Sequence, residues 1–133
     1  DPQYALSKAC ADYLAQQTDA KGRKLEVTLL PIPQEPVCIT QEECSELDLW
    51  DGEPTRTAGE RLAASYVNFY IANDSVLVPQ FGDPMDKTAC EILFAQFPNR
   101  TIVPIAAREI LLGGGNIHCI TQQIPLGRSS IYA

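Results

Sequence analysis

A cysteine that follows a run of glycines is the residue whose setting best suits it for chemistry. Gly113, Gly114 and Gly115 precede Asn116, and Cys119 comes three residues later. Glycine permits sharp turns and lets a ligand approach the backbone closely, and a thiolate presented on such a loop can act as a nucleophile. From this pattern alone a buried, inert cysteine is the more common outcome. Cys119 is therefore one candidate nucleophile with a structural alternative beside it.

The single histidine, His118, is adjacent to Cys119 and invites interpretation as its base. The apolar run 108–112 ahead of the glycines predicts a strand that contains Glu109, and adjacent residues of an extended segment point to opposite faces. A structural role is therefore favoured for His118. A general base for the thiol would have to come from outside this sequence.

The other four cysteines have less reactive surroundings. Cys10 and Cys90 fall on the apolar faces of two predicted helices, where cysteine behaves as a small hydrophobic residue. Cys38 and Cys44 lie in an acidic segment, and nearby Glu carboxylates are expected to raise the pKa of their thiols. A disulfide between these two stays open, although an odd cysteine count without a secretory signal argues against a disulfide framework.

Composition and charge exclude several classes of function. The 133 residues are 45% hydrophobic and 20% charged, as expected of one globular domain, with a formal net charge of −7. Nucleic-acid binding is disfavoured because phosphates require clustered Lys and Arg. No apolar run approaches the roughly 20 residues of a membrane helix. One His without a C-x-x-C pair disfavours a metal centre, and free thiols predict a reducing, cytoplasmic environment.

The first predicted unit that could position these residues is a helix followed by a strand. Apolar residues recur at helical spacing over 5–14, behind an Asp1-Pro2 cap, and we expect the helix to end within 18–22. The apolar run 25–32, closed by prolines, then predicts a buried strand.

A second unit repeats this order later in the chain. A helix opens at 83–84 with Phe94 on its apolar face, and a strand over 101–105 follows. The Ala-Cys pair at 9–10 recurs 80 residues later at 89–90, which indicates a repeated supersecondary unit. Because two units alone leave open edges, we expect the chain to be part of a larger closed architecture.

A hairpin and an acidic segment are predicted between the two units. Alternation over 66–72, a turn at 73–74 and a returning strand over 75–81 are typical of a β-hairpin whose Asn or Asp takes positive φ. The acid-rich segment 34–60 is too long for an ordinary connector, so it is either a functional lid or a solvated insertion. Its Trp50 is interpreted as a loop anchor rather than a substrate contact.

The decapeptide GGNIHCITQQ at 114–123 resembles the nucleophile motif of agmatine deiminases, in the guanidine-modifying pentein superfamily. Four further segments also resemble these enzymes, in the same order along the chain: 1–4, 18–24, 59–70 and 79–84. The resemblance implies an α/β fold, the C-terminal portion of a five-bladed α/β propeller holding about two repeats. The whole chain would then be the C-terminal part of one catalytic domain, with an acidic insertion in the middle.

The resemblance also implies an activity, the hydrolysis of agmatine to N-carbamoylputrescine and ammonia on the route to putrescine, without metal or cofactor. Only Cys119 can be carried over from the catalytic set, as the nucleophile that forms an S-alkylthiouronium intermediate. Gly114, Gly115 and Asn116 are interpreted as shaping the substrate pocket, although Gly113 equally fits a plain strand end. The catalytic His and carboxylates are expected in a missing N-terminal part, so the isolated chain is expected to be inactive.

Two alternatives stay open at this point. Arginine deiminases, peptidyl-arginine deiminases and amidinotransferases also attack guanidinium with a thiolate, and Arg56, Arg61 or Arg108 could clamp the α-carboxylate that agmatine lacks. The other alternative is a non-catalytic binding module in which Cys119 is a bystander. Unpaired repeat surfaces also make self-association plausible.

Overall fold

A three-stranded β-sheet with a helix packed against it forms the centre of the chain, in a computed structural model that describes residues 3–48, 52 and 56–124. Its elements in chain order are α1 (Tyr4–Leu14), α2 (Gln41–Glu46), β1 (Tyr70–Ile71), β2 (Ser75–Gln80), α3 (Met85–Gln96), β3 (Thr101–Ala106) and α4 (Arg108–Leu112). The strand order is β1-β2-β3, with β1 antiparallel and β3 parallel to β2. The described chain is mixed α/β, as the sequence predicts.

The β2–α3–β3 unit holds one of the two hydrophobic clusters. Val76 and Val78 of β2 are fully buried and pack with Leu93 of α3, and full burial of such side chains contributes about 1.5–3 kcal/mol each. The helix and strand predicted for this stretch are confirmed. Phe94, expected on the buried face, is 60% exposed, because it lies one step around the helix from Leu93.

The predicted hairpin is present in shortened form. Strand pairing on its first arm is limited to β1, so the strand expected over 66–72 is wrong at its start, where 66–67 form a turn. The two arms join as expected through a bend at 73–74, closed by the Ala72 N–H donating to the Ser75 carbonyl at 2.8 Å. In the described ranges only glycines have positive φ, so the positive φ expected at this bend is wrong.

Helix α1 begins close to its predicted start but buries none of its side chains. It stops at Leu14 rather than within 18–22. Beyond it the Asp19 carboxylate accepts hydrogen bonds from the N–H groups of Lys21 and Arg23, both at 2.9 Å, and such local side-chain bonds compete with helix continuation. The expected Asp1-Pro2 cap lies outside the described residues.

The apolar run 25–32 does not form the buried strand that its composition predicts. It is extended without strand pairing, and Leu29 and Ile32 are 69% and 47% exposed. Leu30 alone of this run is among the side chains packed against the β2–α3 cluster. An apolar run becomes a buried strand only where a neighbouring strand accepts its backbone hydrogen bonds, and the described residues place none beside it.

The acidic segment contains ordered structure on its N-terminal side. Helix α2 begins with a capping box, in which the Thr40 side chain accepts from the Glu43 N–H and the Glu43 carboxylate accepts from the Thr40 N–H. Ile39, just before this cap, is buried with Leu62 and Leu111 in the second hydrophobic cluster. The segment therefore packs against α4. Trp50 lies outside the described residues.

Candidate active site

The glycine loop follows a helix rather than a strand. Arg108–Leu112 forms α4, so the strand predicted there, with Glu109 as a strand residue, is wrong. Residues three apart share one helix face. On that face Leu111 is fully buried in the second cluster, and Arg108 pairs with the acidic segment.

Arg108 joins α4 to α2 with two hydrogen bonds and to the segment before α2 with a third. Its Nε and Nη2 donate to the two carboxylate oxygens of Glu43 at 2.6 and 2.8 Å, and Nη2 also donates to the Cys38 carbonyl at 3.0 Å. The Arg108 hydrogen bonds, followed by the Thr40 backbone N–H, lower the pKa of Glu43 to about 2. This bidentate pair and the buried Leu111 hold the start of the glycine loop.

Cys119 lies at the surface in a run of turns that begins after α4, with its sulfur next to Asn68. Nδ2 of Asn68 donates to Sγ at 3.2 Å. The other end of the same amide, Oδ1, accepts from the backbone N–H of His118 at 2.7 Å. One side chain therefore joins the segment ahead of β1 to the cysteine loop through both of its polar atoms.

Gly115 is required by the close approach of its backbone to Cys119. A Cβ built at residue 115 would lie 2.8 Å from Cys119 Cβ and 3.3 Å from Sγ, closer than two carbons can approach without displacement. Its neighbour Gly114 has φ of +93°, which side chains rarely tolerate. The two glycines thus serve the loop that presents the thiol, rather than a plain strand end.

Hydrogen-bond donors lower the pKa of the Cys119 thiol. The Asn68 side chain has the largest effect, followed by the backbone N–H of Asn116 and that of Cys119 itself, while partial desolvation acts in the opposite direction. N–H donors stabilise a thiolate more than a thiol. Cys119 is thus both exposed and biased toward its nucleophilic form, as reactive cysteines are.

His118 lies in a turn, so the strand argument that assigned it a structural role is wrong in its premise. Its ring centroid is 6.4 Å from that of Tyr70. Its backbone N–H binds both Asn68 Oδ1 and, at 3.3 Å, the Asn68 carbonyl. Through its backbone N–H, His118 therefore orients the Asn68 side chain.

Asn116, which belongs to the same loop, is fully buried. Its Oδ1 accepts from the Ile117 N–H at 2.8 Å, whereas its Nδ2 has no hydrogen-bond partner among the described residues. A buried amide donor without a partner is costly. A group that reaches this donor, such as a substrate atom or another part of the protein, would offset that cost.

The remaining cysteines are free thiols away from this loop. Cys10 is exposed, so its expected place on a buried helix face is wrong, because α1 buries no side chain. Cys90 is half-buried, and burial raises the pKa of its thiol. Cys38 and Cys44 do not form the disulfide that the sequence left open.

Asn68 is the site residue that the sequence did not reveal. It is one polar position in the alternating stretch 66–72, where a solvent-facing strand residue is the ordinary interpretation. The residue that it contacts, Cys119, is 51 positions away in the sequence, and no local pattern encodes that contact. The signal that could have revealed Asn68 is the segment 59–70, which contains it and resembles known deiminases.

Among the described residues, no group of three or more His, Cys, Asp or Glu side chains could hold a metal ion. In the same ranges, every helix is too short or too polar to span a bilayer.

Comparison with known proteins identifies the family. The family of Porphyromonas-type peptidyl-arginine deiminases matches residues 1–125. Proteins named as candidate agmatine deiminases from Selenomonas ruminantium and Latilactobacillus sakei are 57% identical over 125 residues and 59% identical over 128 residues. These matches cover 94% and 96% of this chain but 34% and 35% of the relatives, so the chain spans about a third of their length.

A solved structure shares the fold. The agmatine deiminase of Enterococcus faecalis superposes with a TM-score of 0.86 at 42% identity, covering 94% of this chain and 34% of that one. Since the family match extends over nearly the whole sequence, the chain belongs to the Porphyromonas-type peptidyl-arginine deiminase family, where it matches agmatine deiminase homologues and has the mixed α/β architecture of the pentein fold.

Proposed function

We propose that the complete protein hydrolyses agmatine to N-carbamoylputrescine and ammonia, with Cys119 as the nucleophile. The observation that carries this proposal is an exposed thiol, with a lowered pKa, on a loop whose glycine backbone lies directly against it. The names of the similar proteins support agmatine as the substrate. Gly114, Gly115 and Asn116 would shape the pocket around the guanidinium group.

The reaction splits one difficult hydrolysis into two steps. The Cys119 thiolate attacks the guanidinium carbon, and ammonia leaves after a general acid protonates it. The resulting S-alkylthiouronium is then attacked by water, which releases the carbamoyl product and regenerates the thiolate. Guanidinium is a poor electrophile because its charge is delocalised. Carboxylates must therefore hold it over the sulfur, and we place these, with the base, in residues outside this chain.

The larger architecture is part of the same proposal. The complete domain would be a five-bladed α/β propeller in which this chain supplies about two repeats, and the site would close only when the other blades are present. The exposed α1 and the unpaired run 25–32 support this arrangement, because both present apolar side chains such as Leu6, 63% exposed, and Leu29, 69% exposed. Free thiols support a cytoplasmic location.

The three arginines that could clamp an α-carboxylate are already engaged, which favours agmatine over arginine. Arg56 is paired with Glu60 and Arg108 with Glu43, and Arg61 also makes an interaction of its own. An arginine-specific site would need such a clamp because an unpaired carboxylate is costly to bury. We therefore expect the complete protein to turn over agmatine in strong preference to arginine or peptidyl-arginine, as ammonia release with each substrate would measure.

Replacement of the sulfur tests the nucleophile. We expect Cys119→Ser in the complete protein to lower kcat for agmatine by about 10³-fold or more, as removal of a catalytic nucleophile does. The matched control is Cys10→Ser, which alters an exposed thiol on α1 and should leave kcat unchanged. Intact-protein mass after mixing with a slow guanidine substrate should show an adduct on Cys119. Wild-type turnover in the serine variant would overturn the proposal.

A further inference from the structure

Asn68 contacts the same sulfur atom that the proposed reaction uses. We propose that Asn68 is a second catalytic residue of this chain, donating a hydrogen bond from Nδ2 to the Cys119 sulfur whenever that sulfur carries a negative charge. This inference rests on the proposed function for its chemical meaning. Its evidence is the 3.2 Å contact between Nδ2 and Sγ.

The orientation of the Asn68 amide is determined by its other end. A backbone N–H can only donate, so the atom 2.7 Å from the His118 N–H must be the amide oxygen. Rotation of the amide by half a turn would place two donors against each other at this contact. Nδ2 is therefore obliged to face Cys119, and a donor at this position stabilises the thiolate more than the thiol.

The backbone around Asn68 holds the amide in place. The Asn68 N–H donates to the Ser65 carbonyl at 3.2 Å, and the Asn68 carbonyl accepts from the His118 N–H at 3.3 Å. The side chain thus begins from a segment that is itself bonded to the cysteine loop. Little conformational entropy is lost when the amide engages the thiolate, because its position is already fixed.

This hydrogen bond would act at both ends of the proposed reaction. In the attack, a sulfur lone pair forms the S–C bond and the sulfur loses its negative charge, so the amide contact weakens. In the last step the S–C bond breaks, its electron pair returns to sulfur, and the amide again stabilises a thiolate. The donor therefore favours both the starting thiolate and its departure from the final intermediate.

Stabilising the thiolate lowers its nucleophilicity, but the gain in the fraction of thiolate is larger than this loss. A thiolate of lower pKa is a weaker nucleophile, but the Brønsted slope for thiolates is about 0.4–0.5. A tenfold gain in thiolate fraction therefore loses roughly threefold in intrinsic reactivity. The net effect is an increase in rate as long as the thiol would otherwise be mostly protonated at the working pH.

Asn68→Asp separates the donor role from a merely structural one. The aspartate keeps an oxygen for the His118 N–H but places a second, negatively charged oxygen against the sulfur. In the complete protein, we expect alkylation of Cys119 by iodoacetamide at neutral pH to become roughly tenfold slower or more, because a charge-assisted hydrogen bond is replaced by repulsion. The midpoint of the alkylation rate against pH should move upward. Peptide mass spectrometry assigns the alkylated cysteine.

Two further variants complete the experiment. Asn68→Ala removes the donor without adding charge and should shift the profile in the same direction by less, which keeps the inference testable if the aspartate variant does not fold. Asn99→Ala, an exposed asparagine in the turn before β3, is the matched control and should leave the profile unchanged. Thermal unfolding of each variant checks that the fold is retained.

The outcomes for this inference and for the proposed function are separable. If folded Asn68→Asp and Asn68→Ala alkylate with the wild-type pH profile, the catalytic assignment of Asn68 is wrong even though agmatine is turned over. If the profile shifts but the wild-type protein releases no ammonia from agmatine, the thiolate assignment stands and the proposed substrate is wrong.

Discussion

At Cys119, the sulfur is held by groups that can only donate hydrogen bonds, while its position at the surface leaves it open to a ligand. Most cysteines in proteins achieve one of these conditions and not the other, because burial that positions a thiol also raises its pKa. Cys90 in this same chain is an example. At Cys119 this conflict is avoided, because the Asn68 side chain and backbone N–H groups of the loop donate to the sulfur while it stays exposed.

Gly115→Ala is expected to impair catalysis through displacement of the thiol. A methyl group at residue 115 would lie 2.8 Å from Cys119 Cβ, so the cysteine or the loop must move. Misplacement of a reacting group by about 1 Å can cost roughly 10²-fold in rate. We therefore expect kcat for agmatine in the complete protein to fall by about tenfold to a hundredfold, as measured by ammonia release.

Gly113→Ala provides the matched control for this substitution. A Cβ at residue 113 would be 3.4 Å from the Ile110 carbonyl oxygen, an ordinary contact, and the backbone there has the αR conformation that alanine adopts readily. Wild-type kcat is expected for this variant. Equal losses in the two alanine variants would show that the loop responds to any added methyl group rather than to the contact with Cys119.

The sequence singled out Cys119 as a candidate nucleophile but did not reveal Asn68 beside it, for a physical reason. Cys119 is marked by the adjacent glycines, a local pattern that the chain displays within a few residues. Asn68 is brought to it only when the segment ahead of β1 and the loop after α4 meet. Contacts between distant segments depend on the packing of the elements between them, which no local spacing reveals.

At the scale of elements, the pairing of α2 with α4 positions the start of the cysteine loop. The Glu43 carboxylate serves both as part of the α2 capping box and as the partner of Arg108. Its oxygens therefore accept from both helices, and helix α2 of the acidic segment supports the site rather than standing apart from it. Loss of this carboxylate should loosen both elements together.

This carboxylate predicts a pH dependence of stability. The pKa of Glu43 is about 2 in the folded protein, below its ordinary value of 4.5. A carboxylate with a lowered pKa contributes stability that is present above its unfolded pKa and is lost as pH falls towards the folded one. We expect the difference in urea midpoint between wild type and Glu43→Gln to be full at pH 6 and to shrink steadily below about pH 4.5.

Glu42→Gln is the control for this pH dependence. Glu42 shares the first turn of α2, so its interaction with the helix dipole is comparable, but it does not contact Arg108. Its effect on the urea midpoint should change far less between pH 6 and pH 3. A gap between wild type and Glu43→Gln that stays constant over this range would contradict the assignment of the lowered pKa.

Element prediction succeeded for the two long helices and for the paired strands β2 and β3, and failed where a segment depends on contacts that its own sequence does not show. Helices α1 and α3 satisfy their backbone internally, so their spacing was enough to locate them. The apolar run 25–32 is a strand only in composition, since the described residues offer it no partner. The run 108–112 became a helix because Leu111 and Arg108 share a face that two other segments cover.

At the scale of the whole molecule, several large apolar side chains of the described residues are exposed. Tyr4, Leu6 and Tyr13 of α1 are 69%, 63% and 64% exposed, and Leu29 is 69% exposed. Large exposed apolar areas often mark interaction surfaces. Because this chain covers only 34% of the length of a relative, we expect these side chains to contact the rest of the complete domain.

In the proposed mechanism, the catalytic site is divided between this chain and the rest of the protein. Cys119 and Asn68 would supply the thiolate, whereas we place the base and the carboxylates that hold the guanidinium outside this chain. The isolated chain of 133 residues should therefore release no ammonia from agmatine, whereas the complete protein should. Mixing the chain with the separately expressed remainder should restore turnover. Steady ammonia release by the purified chain alone would refute this division of the site.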